Sequence, residues 1–388
     1  MNIGIDKIGF YAPHLYVDMV ELAKVRGVDP NKYIIGIGQE KMAIAPPTQD
    51  SVTLASNAAK SILDEDDKKK IDLVIFATET GVDHSKSGAA YVHRLLGLKP
   101  SIRSIELKQA CYAATAGIQL AKGHINLHPD KKALVIASDI ARYGLNTGGE
   151  ATQGAGSVAM VISKDPNILS LEEPNTYLSD DIMDFWRPSY SDTAMVDGKF
   201  SNEQYLRFFA ETWREHKKTS NLSLEDYTAL CFHLPYTKMG LKALRTILDE
   251  VDEETQERLK EHYRTSTIYN RNIGNIYTGS LYLSLLSLLE KSENMKAGDR
   301  IGLFSYGSGA VGEFFSGILQ EGYRQHLHIT SHKELLDSRQ ALSVREYEDV
   351  FQERVPTDGS SASFDLEADP ASIVLAGIDN HKRQYVAK

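Results

Sequence analysis

The chain has 388 residues, 42% hydrophobic and 25% charged, with a formal net charge of -10. That length predicts two or three domains, or one large α/β unit built from two halves, and the ordinary apolar fraction excludes global disorder. The acidic balance is a poor fit to nucleic acid or to an anionic membrane surface, both of which need clustered Lys and Arg.

In chain order, the N-terminal run Met1–Asp6 carries an acid early and no long apolar stretch, so it does not read as a signal peptide. Val52–Leu63 has Ala and Leu at helical spacing, and Asp72–Ala77 (DLVIFA) follows as a short apolar run of the kind that forms a strand buried on both faces. Ala113–Ile125 is the next predicted helix, followed by apolar strands at Ala133–Ala137 and Ser157–Ile162. A second half is expected to begin around Pro166–Pro174, which divides the chain into residues 1–165 and 166–388. It opens with the strand Ala229–Phe232 and continues through helices at Lys238–Leu248, Glu254–His262 and Ser280–Glu290 to the strand Ile301–Phe304. Ser331–Pro370 is more polar and reads as peripheral. Buried strands alternating with helices predict a layered α/β architecture. No window of about 18 apolar residues exists, so no membrane span is expected. Two cysteines, Cys111 and Cys231, fit a reducing compartment, and the chain is read as cytoplasmic.

Three residues stand out as chemistry. Cys111 lies at the start of a segment of very small residues that becomes helical. Unpaired N–H groups at a helix N-terminus favour thiolate and are expected to lower its pKa. Taken locally, a buried structural cysteine fits the same residues slightly better. Glu79 lies two residues beyond the run ending at Ala77, and a carboxylate at a strand's carboxyl end is where open α/β sheets place functional groups. His233 ends the run Ala229–Phe232 and precedes a Pro-containing turn. Lys238 and Lys242 follow four residues apart, on one helix face that suits a phosphate-bearing ligand or plain solvent. Glycine-rich turns at Arg142–Gly156 and Ser305–Gly309 allow close backbone approach to a ligand. No C-x-x-C or H-E-x-x-H appears, and no G-x-G-x-x-G opens a helix, so neither zinc nor a dinucleotide is expected.

Taken in order, Tyr33–Gln39, Ala77-Thr78-Glu79, Ala110-Cys111-Tyr112-Ala113, Phe185-Trp186-Arg187-Pro188, Met195–Ser201, Phe232–Lys238, Gly274–Ser280 and Ser305–Gly309 resemble the 3-hydroxy-3-methylglutaryl-CoA synthase family in its bacterial branch. The resemblance runs from Gly4 to about Tyr323. It implies a thiolase-like fold, two related halves stacked in a five-layer αβαβα arrangement, and a homodimer. It implies a catalytic set of Glu79, Cys111 and His233, with Thr152, Ser201, Asn275 and Ser308 at the substrate pocket. It implies that Lys238, Lys242 and Asp29 meet the CoA portion. The implied reaction joins acetyl-CoA to acetoacetyl-CoA on the mevalonate route to isoprenoids, with no metal or other cofactor. Gln109 and Ala113 replace the Asn and Gly that flank the nucleophile in the eukaryotic branch. The rival readings are a ketoacyl synthase or thiolase of the same fold, a cysteine-dependent thioester hydrolase, and an inert scaffold.

Overall fold

In the computed structural model every residue except Asp192 is described. The first-half strands are Ile3–Tyr11, Ile71–Ala77, Arg103–Leu107, Lys132–Ala141 and Gly154–Lys164. Ile71–Ala77 lies between Arg103–Leu107 and Lys132–Ala141, parallel to both; Gly154–Lys164 and then Ile3–Tyr11 continue the sheet antiparallel. The second half repeats the pattern. Ala229–Phe232 runs parallel to Arg300–Gly307, which pairs antiparallel with Val311–Leu319, which pairs antiparallel with Leu169–Leu171. Ile3–Tyr11 and Leu169–Leu171 are themselves hydrogen-bonded, so the two halves meet edge to edge in one continuous ladder.

Each half sends one helix into the space between the sheets. Ala113–Leu127 and Ser280–Lys291 both pack there, with Ile118, Leu285 and Leu286 fully buried among side chains of both sheets. The outer face of the first sheet carries helices Ser51–Ile62 and Gly88–Leu95, through Val52, Ala55, Ala89 and Val92. The outer face of the second carries Gly198–Ser220 and Thr237–Arg245, through Phe208, Phe209, Trp213 and Met239. Helix, sheet, paired central helices, sheet and helix make the five αβαβα layers. Strands covered on both faces have no polar side to show, which is why they read as continuous apolar runs.

The observed helices Ser51–Ile62, Ala113–Leu127, Thr237–Arg245, Glu253–Ser266 and Ser280–Lys291 follow the predicted segments within a few residues, except that the third stops short of the expected Leu248. Gly198–Ser220, at 23 residues the longest helix described, has no counterpart among the predicted elements. Its buried side chains Tyr205, Phe208, Phe209, Thr212, Trp213 and His216 fall at helical spacing, diluted by charged residues between them.

The polar C-terminal stretch is structured and returns to the first half. Gln340–Leu342 pairs with Leu15–Asp18, which pairs with Lys41–Ile44. The hairpin Ile373–Asp379/Lys382–Ala387 covers the start of helix Ser51–Ile62. There the Asp50 carboxylate accepts from Tyr385 Oη at 2.7 Å and from Arg383 at 2.9 Å, and Asn57 donates to Ile373 O at 2.8 Å. Residue 165 lies in the turn between Gly154–Lys164 and Leu169–Leu171. No helix among the described residues is long and apolar enough to cross a membrane.

Candidate active site

Parallel register builds one side of the site. Ala77 stands opposite Ala137, so the chain leaving the strand at Thr78-Glu79-Thr80 runs beside Asp139. Asp139 is fully buried. Its Oδ1 accepts from Thr78 Oγ1 (2.8 Å), Glu79 N (2.9 Å), Thr80 N (3.0 Å) and Thr80 Oγ1 (2.7 Å). Its Oδ2 accepts from Thr278 N (3.2 Å) and Thr278 Oγ1 (2.5 Å) of the other half. Six donors on one carboxylate fix the loop that carries Glu79. Arg187 adds a further bond to the Glu79 carbonyl oxygen.

The Cys111 thiol donates to Glu79 Oε1 at 3.1 Å. Cys111 lies two residues before helix Ala113–Leu127, and the turn that delivers it needs Ala110 at a φ of 42°, the left-handed region. Burial, with the Asp139 charge in second place, raises the Glu79 carboxyl to about 8, against the opposing pull of Cys111 and Arg187. Burial also pushes the Cys111 thiol well above its ordinary range, reinforced by Glu79, Asp139 and Asp184. The lowered pKa expected for Cys111 is therefore corrected to a raised one. A helix N-terminus contributes at most about 2 kcal/mol toward an anion, and here desolvation and three carboxylates oppose it.

His233 is held by the equivalent device in the second half. Phe232 stands opposite Phe304, the His233 N–H donates to Phe304 O at 2.8 Å, and the His233 carbonyl accepts from Tyr205 Oη at 2.7 Å. Burial lowers the imidazole to about 3, so the ring is neutral near pH 7. Its Nδ1 is buried without a hydrogen-bond partner among the described residues.

The remaining expected residues fall into two groups. Asn275 donates to Tyr143 Oη at 3.2 Å and its Oδ1 accepts from Tyr277 N and Ser280 Oγ, both at 2.9 Å. Gly154 bridges Gly274, and a Cβ on Gly154 would stand 2.7 Å from Asn275 N, so the Thr152 turn and Asn275 lie together. Ser201 donates at 3.3 Å to Asp184, which also accepts from Tyr306 Oη at 2.7 Å and from Gly309 N at 2.9 Å, next to Ser308. Lys238, Lys242 and Asp29 stand apart from these. The turn Lys32–Ile37 packs on helix Thr237–Arg245, and Thr237 Oγ1 donates to Ile37 O at 2.9 Å. Lys242 is exposed and donates to Tyr236 Oη at 2.8 Å; the Asp29 carboxylate accepts from Asn31 N at 3.0 Å. Tyr143, Phe185 and Tyr277 form an aromatic wall with each pair of centroids 6.0 Å apart.

Sequence reasoning passed over Asp139, Asp184, Tyr143 and Tyr277. Asp139 had a signal, a carboxylate two residues beyond the apolar run Ala133–Ala137. Asp184 had none, because it stands among Ile182, Met183, Phe185 and Trp186 outside any predicted element, and its partners Tyr306 and Gly309 are remote in sequence. No group of three or more His, Cys, Asp or Glu among the described residues is arranged to hold a metal ion.

Comparison with known proteins bears on this arrangement. The family model described as hydroxymethylglutaryl-coenzyme A synthase N terminal matches residues 1–167, and the C terminal model matches residues 244–386. A hydroxymethylglutaryl-CoA synthase of Enterococcus faecalis is 54% identical over 385 residues, covering 99% of this chain and 100% of the relative. A crystal structure of an HMG-CoA synthase complexed with CoA superposes with a TM-score of 0.97 at 49% identity, covering 100% of both chains. A structure of MvaS in complex with 3-hydroxy-3-methylglutaryl coenzyme A has a TM-score of 0.90 at 35% identity, covering 100% of this chain and 99% of that one. With models of both terminal regions matched and a full-length relative at this identity, the chain belongs to the hydroxymethylglutaryl-CoA synthase family.

Proposed function

We propose that the chain condenses acetyl-CoA with acetoacetyl-CoA and water, giving 3-hydroxy-3-methylglutaryl-CoA and free CoA through an acetyl-Cys111 thioester. The observation that carries this reading is the half-buried 3.1 Å contact between the Cys111 thiol and the Glu79 carboxyl. Cys111 attacks the acetyl thioester carbonyl, and its proton passes by way of Glu79 to the departing CoA sulfur. Backbone N–H groups of the Cys111 turn and the Ser308 loop meet the oxyanion. Glu79, ionised again, removes a proton from the acetyl methyl, and the resulting carbon nucleophile attacks the ketone of acetoacetyl-CoA. His233, a neutral imidazole, donates a hydrogen bond to the oxygen as it becomes an alkoxide. Water then cleaves the Cys111 thioester. Thr152, Ser201, Asn275 and Ser308 position the acyl groups, while Lys238, Lys242 and Asp29 meet the CoA portion. The CoA thioesters are substrates, and the scheme uses no metal, nicotinamide or flavin.

The same reading puts the chain in the cytoplasm, on the mevalonate route to isoprenoids, as a homodimer. Support for the dimer comes from Arg103–Leu107, which ends the sheet with its outer backbone edge unpaired by any described strand and with Ile105 39% exposed.

The test is peptide mass analysis after acetyl-CoA alone and again after acetoacetyl-CoA. One acetyl group on Cys111 that disappears on the second addition, with 3-hydroxy-3-methylglutaryl-CoA formed, is the expected result. Free acetate without condensation product makes the chain a thioester hydrolase, acetoacetyl-CoA formed from two acetyl-CoA makes it a thiolase, and an unmodified Cys111 removes the covalent scheme.

A further inference from the structure

The nucleophile's helix is docked by one face onto one pair of residues in the opposite half. Ser305 and Glu313 are direct cross-strand partners on Arg300–Gly307 and Val311–Leu319, so their side chains leave the sheet on the same face. Tyr112, Thr115 and Gln119 are spaced three and four apart, one stripe of the Cys111 helix. Thr115 Oγ1 donates to Ser305 Oγ at 2.7 Å. Tyr112 Oη donates to Glu313 Oε2 at 2.5 Å, and Gln119 Nε2 donates to Glu313 Oε1 at 2.8 Å. Glu313 is only 2% exposed, and both its oxygens are spent on the segment that carries Cys111. On the other side of Tyr112 stands Gly307, where a Cβ would come within 2.6 Å of Tyr112 N and of Gln109 O. Tyr112 is thus gripped between the backbone at Gly307 and the carboxylate of Glu313, with Cys111 as its neighbour in the chain.

We propose that Glu313 is a positioning residue for the nucleophile: through Tyr112 and Gln119 it sets where the Cys111 turn sits relative to the Ser308 loop, and so governs the acetylation step. The proposal rests on Cys111 being the nucleophile. Its physical basis is that a hydrogen bond from a half-buried phenol to a buried carboxyl fixes direction as well as distance, and that misplacing a reacting atom by about 1 Å costs on the order of 10²-fold.

The experiment measures single-turnover acetylation of Cys111 from acetyl-CoA in the parent, E313M, E313Q, Y112F and the double variant E313M/Y112F, with acetyl-CoA affinity measured alongside. Met fills the same volume and accepts neither bond. E313M is expected to slow acetylation roughly 10- to 100-fold with little change in affinity. E313Q recovers part of the rate, because its amide still accepts from Tyr112 and donates to Gln119 once the Gln119 amide is flipped. Y112F slows the step as well, and the double variant is no slower than E313M, since both changes break one connection. A folded E313M acetylating at the parental rate, or losses that multiply in the double variant, overturns the proposal. Where E313M fails to fold, Y112F decides, and a parental rate there overturns it. A parent that never acetylates Cys111 overturns the nucleophile reading itself, which is a separate result.

Discussion

Replacing Glu79 by Gln is expected to stabilise the protein while disabling it. With a carboxyl held at about 8 against an ordinary value near 4.5, the native state keeps a proton that the unfolded chain has lost across that whole interval. Stability therefore falls as pH rises from about 4.5 to about 8, and the full penalty applies above that. The shift of about 3.5 units corresponds to roughly 5 kcal/mol as an upper limit. Gln keeps the oxygen that accepts from the Cys111 thiol and carries no charge to desolvate. The melting midpoints of E79Q and the parent are expected to coincide near pH 4.5 and to separate progressively up to pH 8.5, with the variant higher. Condensation falls by about 10²–10⁴, the usual yield of a general base. Acetylation of Cys111 falls less, because that step asks Glu79 only to pass a proton between two sulfurs, whereas condensation asks it to take one from carbon. Thermal melts across pH, quenched-flow mass analysis of the acetyl enzyme and product chromatography read the three quantities. A constant midpoint difference across pH, or acetylation lost as completely as condensation, would refute the reasoning.

Three further substitutions test other parts of the site. His233→Ala is expected to raise the acetoacetyl-CoA requirement and slow condensation more than self-acetylation, read by comparing both half-reactions; the reverse order would put His233 beside the acetyl donor. Asp139→Asn turns one acceptor oxygen into a donor facing buried donors, and is expected to cost about 2–4 kcal/mol in denaturant melts and to lower both half-reactions, since it releases the Glu79 loop and Thr278 together. Lys238→Ala with Lys242→Ala is expected to raise KM for both CoA thioesters about tenfold at low salt, with the difference shrinking by 0.5 M salt and kcat little changed; unaltered KM would detach these lysines from the CoA portion.

The elements that were legible in the sequence were those whose burial is uniform. Ile71–Ala77, Lys132–Ala141 and Arg300–Gly307 are covered on both faces and announce themselves as apolar runs, and Glu79 and His233 are found because a polar residue ends such a run. Gly198–Ser220 was missed because it is buried along one stripe only, and its charged face dilutes the signal. Asp184 was out of reach for a different reason: its partners Tyr306 and Gly309 lie more than 100 residues away, and only the folded chain brings them together. The lowered pKa expected for Cys111 was not met because a local feature, the helix start, was weighed without the burial of the thiol and the carboxyl groups that the fold sets beside it.

The return of the C-terminal segment has a consequence for how the protein is made. Residues 340–387 cover the outer helix and the Leu15–Asp18 strand of the first half, so that half lacks part of its own surface until they have been made. A ribosome-bound chain bearing Glu79 and Cys111 must wait for residues some 300 positions downstream before Asp50, Asn57 and Thr48 find their partners. Contacts of such long sequence separation form late. The N-terminal half is thus expected to fold last to its full stability, with deletions near the C-terminus felt at the start of the chain.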